Sequence, residues 1–175
     1  MRLEHIVSAT HLMYPQAMEL YKRSFPLHEQ REAASQEHIL GERDYHFALV
    51  YDDELFVGLV LYWETEEYLY IEHFCILPGL RNRRYGQRTL ELLAACGKRL
   101  ILEIDPPTDS IARRRKAFYE RCGFVENPFP HIHPPYHAGN HGHNLILMTH
   151  PTPIAQKQYD SFFRYLTEKI MKDAF

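Results

Sequence analysis

Four arginines, Arg81, Arg83, Arg84 and Arg88, crowd around one glycine, Gly86, in the stretch CILPGLRNRRYGQRTLELL. The stretch runs from an apolar segment through a basic turn into a leucine-rich pattern of helical period. Backbone N–H groups in the first turn of a helix have no intrahelical partner and carry partial positive charge, so they attract anions. Arginine forks onto phosphate oxygens, each charge-assisted bond contributing about 1.5–3 kcal/mol. Gly86 lets a phosphate approach the backbone with no Cβ in the way. The ligand such chemistry fits is a small polyanion. An arginine at position 84 calls for a negative φ there, because a positive one strains any residue with a Cβ.

Two other groupings bear chemistry. Glu72 stands inside the apolar run YLYIEHFCIL (68–77), where a carboxylate is costly unless it has a partner or a task. The plain alternative is a strand-end glutamate that faces solvent or pairs with an arginine. Strand alternation puts His73 on the opposite face as a structural residue. Glu103, in LILEID, is a second strand carboxylate. His131, His133, His137, His141 and His143 fall within thirteen residues, together with Tyr136. Imidazoles at that density suit zinc, but no HExxH spacing and no nearby cysteine accompany them, so no metal is expected.

Composition sets the bounds. Of 175 residues, 45% are hydrophobic and 13% aromatic, enough for the core of one domain over 1–175. A formal charge of −3 makes the arginine turn a local feature and excludes a general nucleic-acid binder. The three cysteines, Cys75, Cys96 and Cys122, form no CxxC pair and fit neither a disulfide framework nor a thiolate zinc site. The segment MRLEHIVSAT has no continuous apolar stretch, and no apolar run of about 18 residues occurs. A soluble, cytoplasmic protein with no membrane partner is expected.

These residues need elements to hold them. A strand is expected over 4–10, a helix over 14–25 ended by Pro26, and a helix over 32–43 closed by Gly41. Three β-rich runs at 45–52, 55–64 and 68–77, with short polar connectors, make antiparallel hairpins. The arginine turn feeds a helix over 87–96 stopped at Gly97. A strand over 99–105, a helix over 111–122 stopped at Gly123, and strands over 124–129 and 144–150 follow. Thr152 as N-cap and Pro153 at N1 open a last helix over 153–174. Its stripe of Tyr159, Phe162, Phe163, Leu166 and Ile170 must be covered, by the chain itself as a monomer or by a second copy in a homodimer.

The order β, α, α, β, β, β, α, β, α, β, β, α, with LPGLRNRRYG entering one helix and AFYERCGF closing another, resembles the GNAT superfamily of acyl-CoA-dependent N-acetyltransferases. The resemblance covers roughly residues 3–150. The family's pyrophosphate loop reads Q/R-x-x-G-x-G/A; here Arg81 and Gly86 match and Arg84 replaces the first glycine. It implies an α/β (α+β) fold, a central, mostly antiparallel mixed sheet of about seven strands flanked by helices, with the last helix as an addition.

The resemblance also implies acetyl-CoA as acyl-donor cosubstrate. Its phosphates would meet Arg81, Asn82, Arg83, Arg84, Tyr85, Gly86, Gln87 and Arg88. Its pantetheine arm would pair along Phe74, Cys75, Ile76 and Leu77, with Cys75 and Leu77 offering N–H and C=O groups. Glu72 would act as base, directly or through water, and Tyr119 as the acid that helps the thiolate leave. Glu103 is an alternative base or an ammonium ligand. Family members often carry an asparagine seven residues before the tyrosine; Ala112 stands there, leaving its contact to Ser110, Arg113 or Arg114. SFPLHEQRE (24–32) is similar to stretches that wall the acceptor channel, which nominates Glu29, Arg31 and Glu32. His133 and Tyr136 would form a polar rim of that channel. The expected activity is acetyl transfer to a primary amine of a small molecule or peptide. Its alternatives are an acyl-CoA-binding regulatory domain without turnover and a nucleotide- or phosphate-ligand module.

Overall fold

The computed structural model describes residues 1–175 and is built on eight strands. In chain order the elements are β1 (Arg2–Ile6), α1 (Tyr14–Ser24), α2 (Ala33–Ile39), β2 (Tyr45–Asp52), β3 (Leu55–Glu64) and β4 (Tyr68–Ile76). Then come α3 (Tyr85–Ala94), β5 (Arg99–Ile104), α4 (Ser110–Arg121), β6 (Val125–Glu126), β7 (His131–His133), β8 (His143–His150) and α5 (Gln156–Tyr165). The sheet order is β1-β2-β3-β4-β5-β8-β6, with β7 paired to β8. Only β4 and β5 pair in parallel, through the α3 crossover. No helix is long and apolar enough to cross a membrane.

Strands β2 and β3 are buried almost end to end, because helices cover both faces of the sheet. One face packs Tyr21 of α1, Phe47, Trp63, Tyr70, Phe162 and Leu166. The other packs Val60, Leu69 and Leu100 beneath Leu90 and Leu93 of α3 and Tyr119 of α4. Each fully buried leucine or phenylalanine stabilises the fold by about 1.5–3 kcal/mol.

Four expectations about the elements are corrected. The eighth strand, β7, lies inside the histidine segment, where His131 faces Leu145 and His133 faces His143. The strand expected over 124–129 shrinks to Val125–Glu126. The first strand ends at Ile6, the last residue with a partner on β2. The last helix starts at Gln156 with Ala155 as its cap, not at Pro153. Thr152 cannot open it, because its carbonyl accepts from Arg99 at 2.7 Å and from the Thr149 hydroxyl at 2.8 Å. The Ile154 N–H is also engaged, by Asn127 Oδ1 at 2.9 Å. The helix then widens into a π turn over Leu166–Ile170, closed by a bond from the Met171 N–H to the Leu166 carbonyl.

Two irregularities coincide at the middle of β4. Parallel pairing with β5 runs from Tyr68↔Arg99 to Ile71↔Leu102 and stops there, although both strands continue. At the same level the β3–β4 register slips, with Leu61 opposite His73 and Tyr62 opposite Ile71, so Glu72 is the extra residue of a bulge. The bulge resets the alternation of the strand. Tyr70 and Cys75 share the face of α1, whereas Leu69, Ile71 and Phe74 take the face of α3 and α4. His73 therefore joins Glu72 on the α1 face instead of opposing it, where it stacks edge-on against Tyr21 and Phe25.

Candidate active site

The parting of β4 and β5 opens a cleft of about 1110 Å³. Phe74, Ile76, Arg81 and Asn82 line it near the arginine turn; Glu72, Glu103, His133 and Tyr136 line it at the point where the strands separate. Tyr119, Phe118 and Arg114 of α4 form part of its wall.

At one end stands the first turn of α3. Arg84 is its N-cap, at φ +63°, and Asn82 is at φ +65°. The expected negative φ at Arg84 is thus overturned. The chain keeps a left-handed conformation that a glycine would adopt freely, and the side chain tolerates the strain. Gly86 also serves the packing of the helices. A Cβ there would lie 3.1 Å from the Phe118 ring, so the missing side chain lets α3 and α4 pack closely. Arg83 and Arg84 are exposed. Arg81 reaches the Ile76 carbonyl at 3.4 Å. Arg88 forks onto Asp52 at 2.8 and 3.0 Å, and Gln87 bonds Glu91, so both side chains are already engaged. Tyr85, the first residue of α3, is half-buried beneath the Arg88 guanidinium.

Along β4 the backbone assignment also changes. The Leu77 N–H donates to the Val57 carbonyl at 2.9 Å. Alternation of the antiparallel ladder then turns the polar groups of Cys75 toward β3 as well, leaving those of Phe74 and Ile76 facing the cleft. Burial pushes the Cys75 thiol up to about 11, so it is a packed thiol and not a nucleophile.

Both carboxylates at the parting point are buried and supplied with donors. Glu72 accepts from Arg31 at 2.9 Å, from the Trp63 indole at 2.8 Å and from the Tyr136 hydroxyl at 3.0 Å. Burial alone would raise its pKa, but the Arg31 guanidinium, with these bonds, brings it down to about 2. Glu103 accepts from the Tyr70 hydroxyl at 2.6 Å and from His131. Burial again pushes upward, and His133 and His131 hold its carboxyl below its ordinary value.

Tyr119 is buried on α4, and its phenol is pushed up to about 12 by that burial, so it stays protonated. Of the stand-ins for the missing asparagine contact, Arg114 lines the cleft, bonded to the Ser110 carbonyl at 3.2 Å, while Arg113 holds the Thr108 carbonyl at 3.1 Å. Glu29 is half-buried at the cleft mouth, its pKa raised by burial and by nearby Asp105. The donor atoms of His28, Glu29 and His143 come within 4.8 Å of one another there, although His143 is already engaged by Asp105 at 3.3 Å. His137 anchors the histidine segment to the Leu27 carbonyl at 2.8 Å and lies 3.5 Å from Glu32, and His141 also lines the cleft.

Several residues of the site escape a linear reading: Trp63, Tyr70, His131 and, from α5, Tyr159, whose hydroxyl meets His131 at 3.1 Å. A signal for His131 was present. His131-Ile132-His133 alternates polar and apolar residues, the pattern of a strand, but which side faces inward is set by the fold: the two histidines are 3% exposed and the isoleucine 53%.

The acetyltransferase (GNAT) family model matches residues 14–124, and the chain belongs to that family; it is an acetyltransferase of the GNAT type. A GNAT-family protein from Bacteroides thetaiotaomicron is 32% identical, aligns over 98% of each chain and has a TM-score of 0.91. More distant structures share the fold. An aminoglycoside 6′-N-acetyltransferase complexed with coenzyme A is 14% identical over 89% of this chain and 100% of its own, with a TM-score of 0.59. A spermidine N-acetyltransferase chimera from Vibrio cholerae is 17% identical over 90% and 96%, with a TM-score of 0.60. Among curated proteins, none matches.

Proposed function

We propose that this acetyltransferase transfers the acetyl group of acetyl-CoA to a primary amine of a small molecule or peptide. The observation that carries the reading is the parting of β4 from β5 after Ile71↔Leu102, with a cationic helix start at one end and buried carboxylates at the other. Arg81, Arg83, Arg84 and the first N–H groups of α3 supply the charge a pyrophosphate needs. The outward polar groups of Phe74 and Ile76 can pair with an extended amide-bearing arm as an added strand would. Tyr119, kept protonated, donates to the sulfur as the C–S bond breaks. Glu72 serves as the anion that fixes Arg31 and Tyr136 around the acceptor, since its donors leave it little basicity. Glu29 and Glu103 favour a cationic acceptor.

The test is release of free thiol from acetyl-CoA across a panel of amines. Turnover with at least one primary amine is expected; tight acetyl-CoA binding with no turnover on any would instead indicate an acyl-CoA sensor. Two variants probe the parts. Arg81→Ala, or Arg83→Ala combined with Arg84→Ala, should weaken acetyl-CoA binding by about 1–3 kcal/mol in calorimetry. Unchanged affinity would remove the turn from the site. Tyr119→Phe should lower kcat with little change in acetyl-CoA affinity. If that variant turns over at the wild-type rate, the tyrosine only packs.

A further inference from the structure

Three groups with lone pairs meet where β4 and β5 part: Glu72, Glu103 and His133. Both carboxylates have donors, and a carboxylate so supplied keeps its charge and takes a proton poorly. His133 is different. Its Nδ1 lies 2.6 Å from the Pro134 carbonyl oxygen, which can only accept, so Nδ1 carries the hydrogen. The neutral ring then has its lone pair on Nε2.

The surroundings of Nε2 are equally one-sided. The Tyr136 hydroxyl oxygen is 3.5 Å away and Glu103 Oε2 is 3.8 Å away. Tyr136 has one proton, and it goes to Glu72 at 3.0 Å. Both neighbours of Nε2 are therefore acceptors. The neutral ring lacks a donor, whereas the protonated ring would find two partners. Stacking on Tyr136, with centroids 5.0 Å apart, holds the imidazole in this orientation. The missing component is an N–H brought from outside.

We propose that His133 Nε2 accepts the proton of the acceptor's ammonium group; this rests on the amine-acetylation reading and deepens it. In forming an amide, an ammonium nitrogen loses two protons. The first passes to Nε2, and the freed lone pair forms the C–N bond to the thioester carbonyl carbon. The C–S bond breaks as the carbonyl re-forms, and the sulfur takes the phenol proton of Tyr119. The second nitrogen proton leaves through solvent and restores Tyr119. His133 returns its proton to water, so one proton is released per turnover.

Several charged or titratable groups surround the ring. Glu103 and His131 face it from β5 and β7, and Tyr136 from its own segment. Glu72 and His73 act from β4, the latter 5.7 Å from the Tyr136 ring, and Arg31, bonded to Glu72, lies 5.7 Å from that ring.

The experiment measures kcat/KM against pH for wild type and His133→Gln with a responsive amine, and acetyl-CoA affinity separately. Wild-type turnover and acetyl-CoA binding report on the amine-acetylation reading; only the variant reports on His133. At neutral pH the variant should lose about 100-fold or more in kcat/KM. Its affinity for acetyl-CoA should be unchanged. The rise of kcat/KM with pH expected of wild type should shift into alkali in the variant, where water removes the amine's proton, so the deficit should narrow there. A variant within about threefold of wild type, with the same pH profile, would overturn the assignment. Imidazole ¹⁵N NMR of the wild type gives a second readout that does not depend on the variant folding. The neutral ring should carry its hydrogen on Nδ1; a neutral ring with its hydrogen on Nε2 would refute the proposal.

Discussion

Arg31→Met is expected to destabilise the protein by about 3–5 kcal/mol, measured by urea unfolding, because it strands a buried carboxylate. The side chains of Arg31 and Glu72 are each 1% exposed, so neither charge can turn to water. Arg31 also donates to the Ile170 carbonyl at 3.0 Å, tying the end of the last helix to the same pair. Without the guanidinium, Glu72 keeps only the Trp63 and Tyr136 donors against the full cost of its burial. The acid side provides an independent check. Glu72 titrates near 2 in the folded protein, below its ordinary value of 4.5, so the unfolded chain binds its proton more readily. Its contribution is complete above the ordinary carboxylate range and is lost as the pH falls from about 4.5 toward about 2. In Arg31→Met this part of the acid limb should vanish or reverse, since burial alone raises the pKa of Glu72. A variant as stable as wild type, with the same acid limb, would mean the pair is not closed in solution.

Removing everything after Pro151 is expected to yield insoluble protein. Phe162 and Leu166 have no measurable exposure, Ile170 has 1%, and Tyr159 has 9%. Each of the first three contributes about 1.5–3 kcal/mol by burial. Phe162 packs on Tyr68 and Tyr70 at ring distances of 5.8 and 5.2 Å, and these would also be uncovered. Deletion would further free Arg31 from Ile170 and His131 from Tyr159, so the site would loosen along with the core. A soluble, monomeric truncation with the wild-type Tm would show that the helix is a dispensable tail. The chain covers the stripe itself, which answers in favour of the intramolecular option the choice the sequence left open.

The sequence by itself determined the class of fold and one end of the cleft. Glycine stops at Gly97 and Gly123 bounded helices, β-rich runs with short polar connectors identified antiparallel hairpins, and an arginine turn before a leucine-rich helix marked a candidate anion site, because each of these signals is local. The tertiary structure decided how the chemical groups are used. Whether Glu72 is a base or an anchored anion depends on Arg31, 41 positions away in the chain, and on Trp63 and Tyr136. The side on which His73 stands depends on a one-residue slip against β3, which no alternation rule within β4 contains. His131 and His133 read as loop residues until β8 pairs beside them and turns them onto Glu103. Local patterns fix backbone shape within a few residues. The protonation and partners of a buried polar group are fixed by whatever long-range packing brings beside it, and that is where this site's chemistry resides.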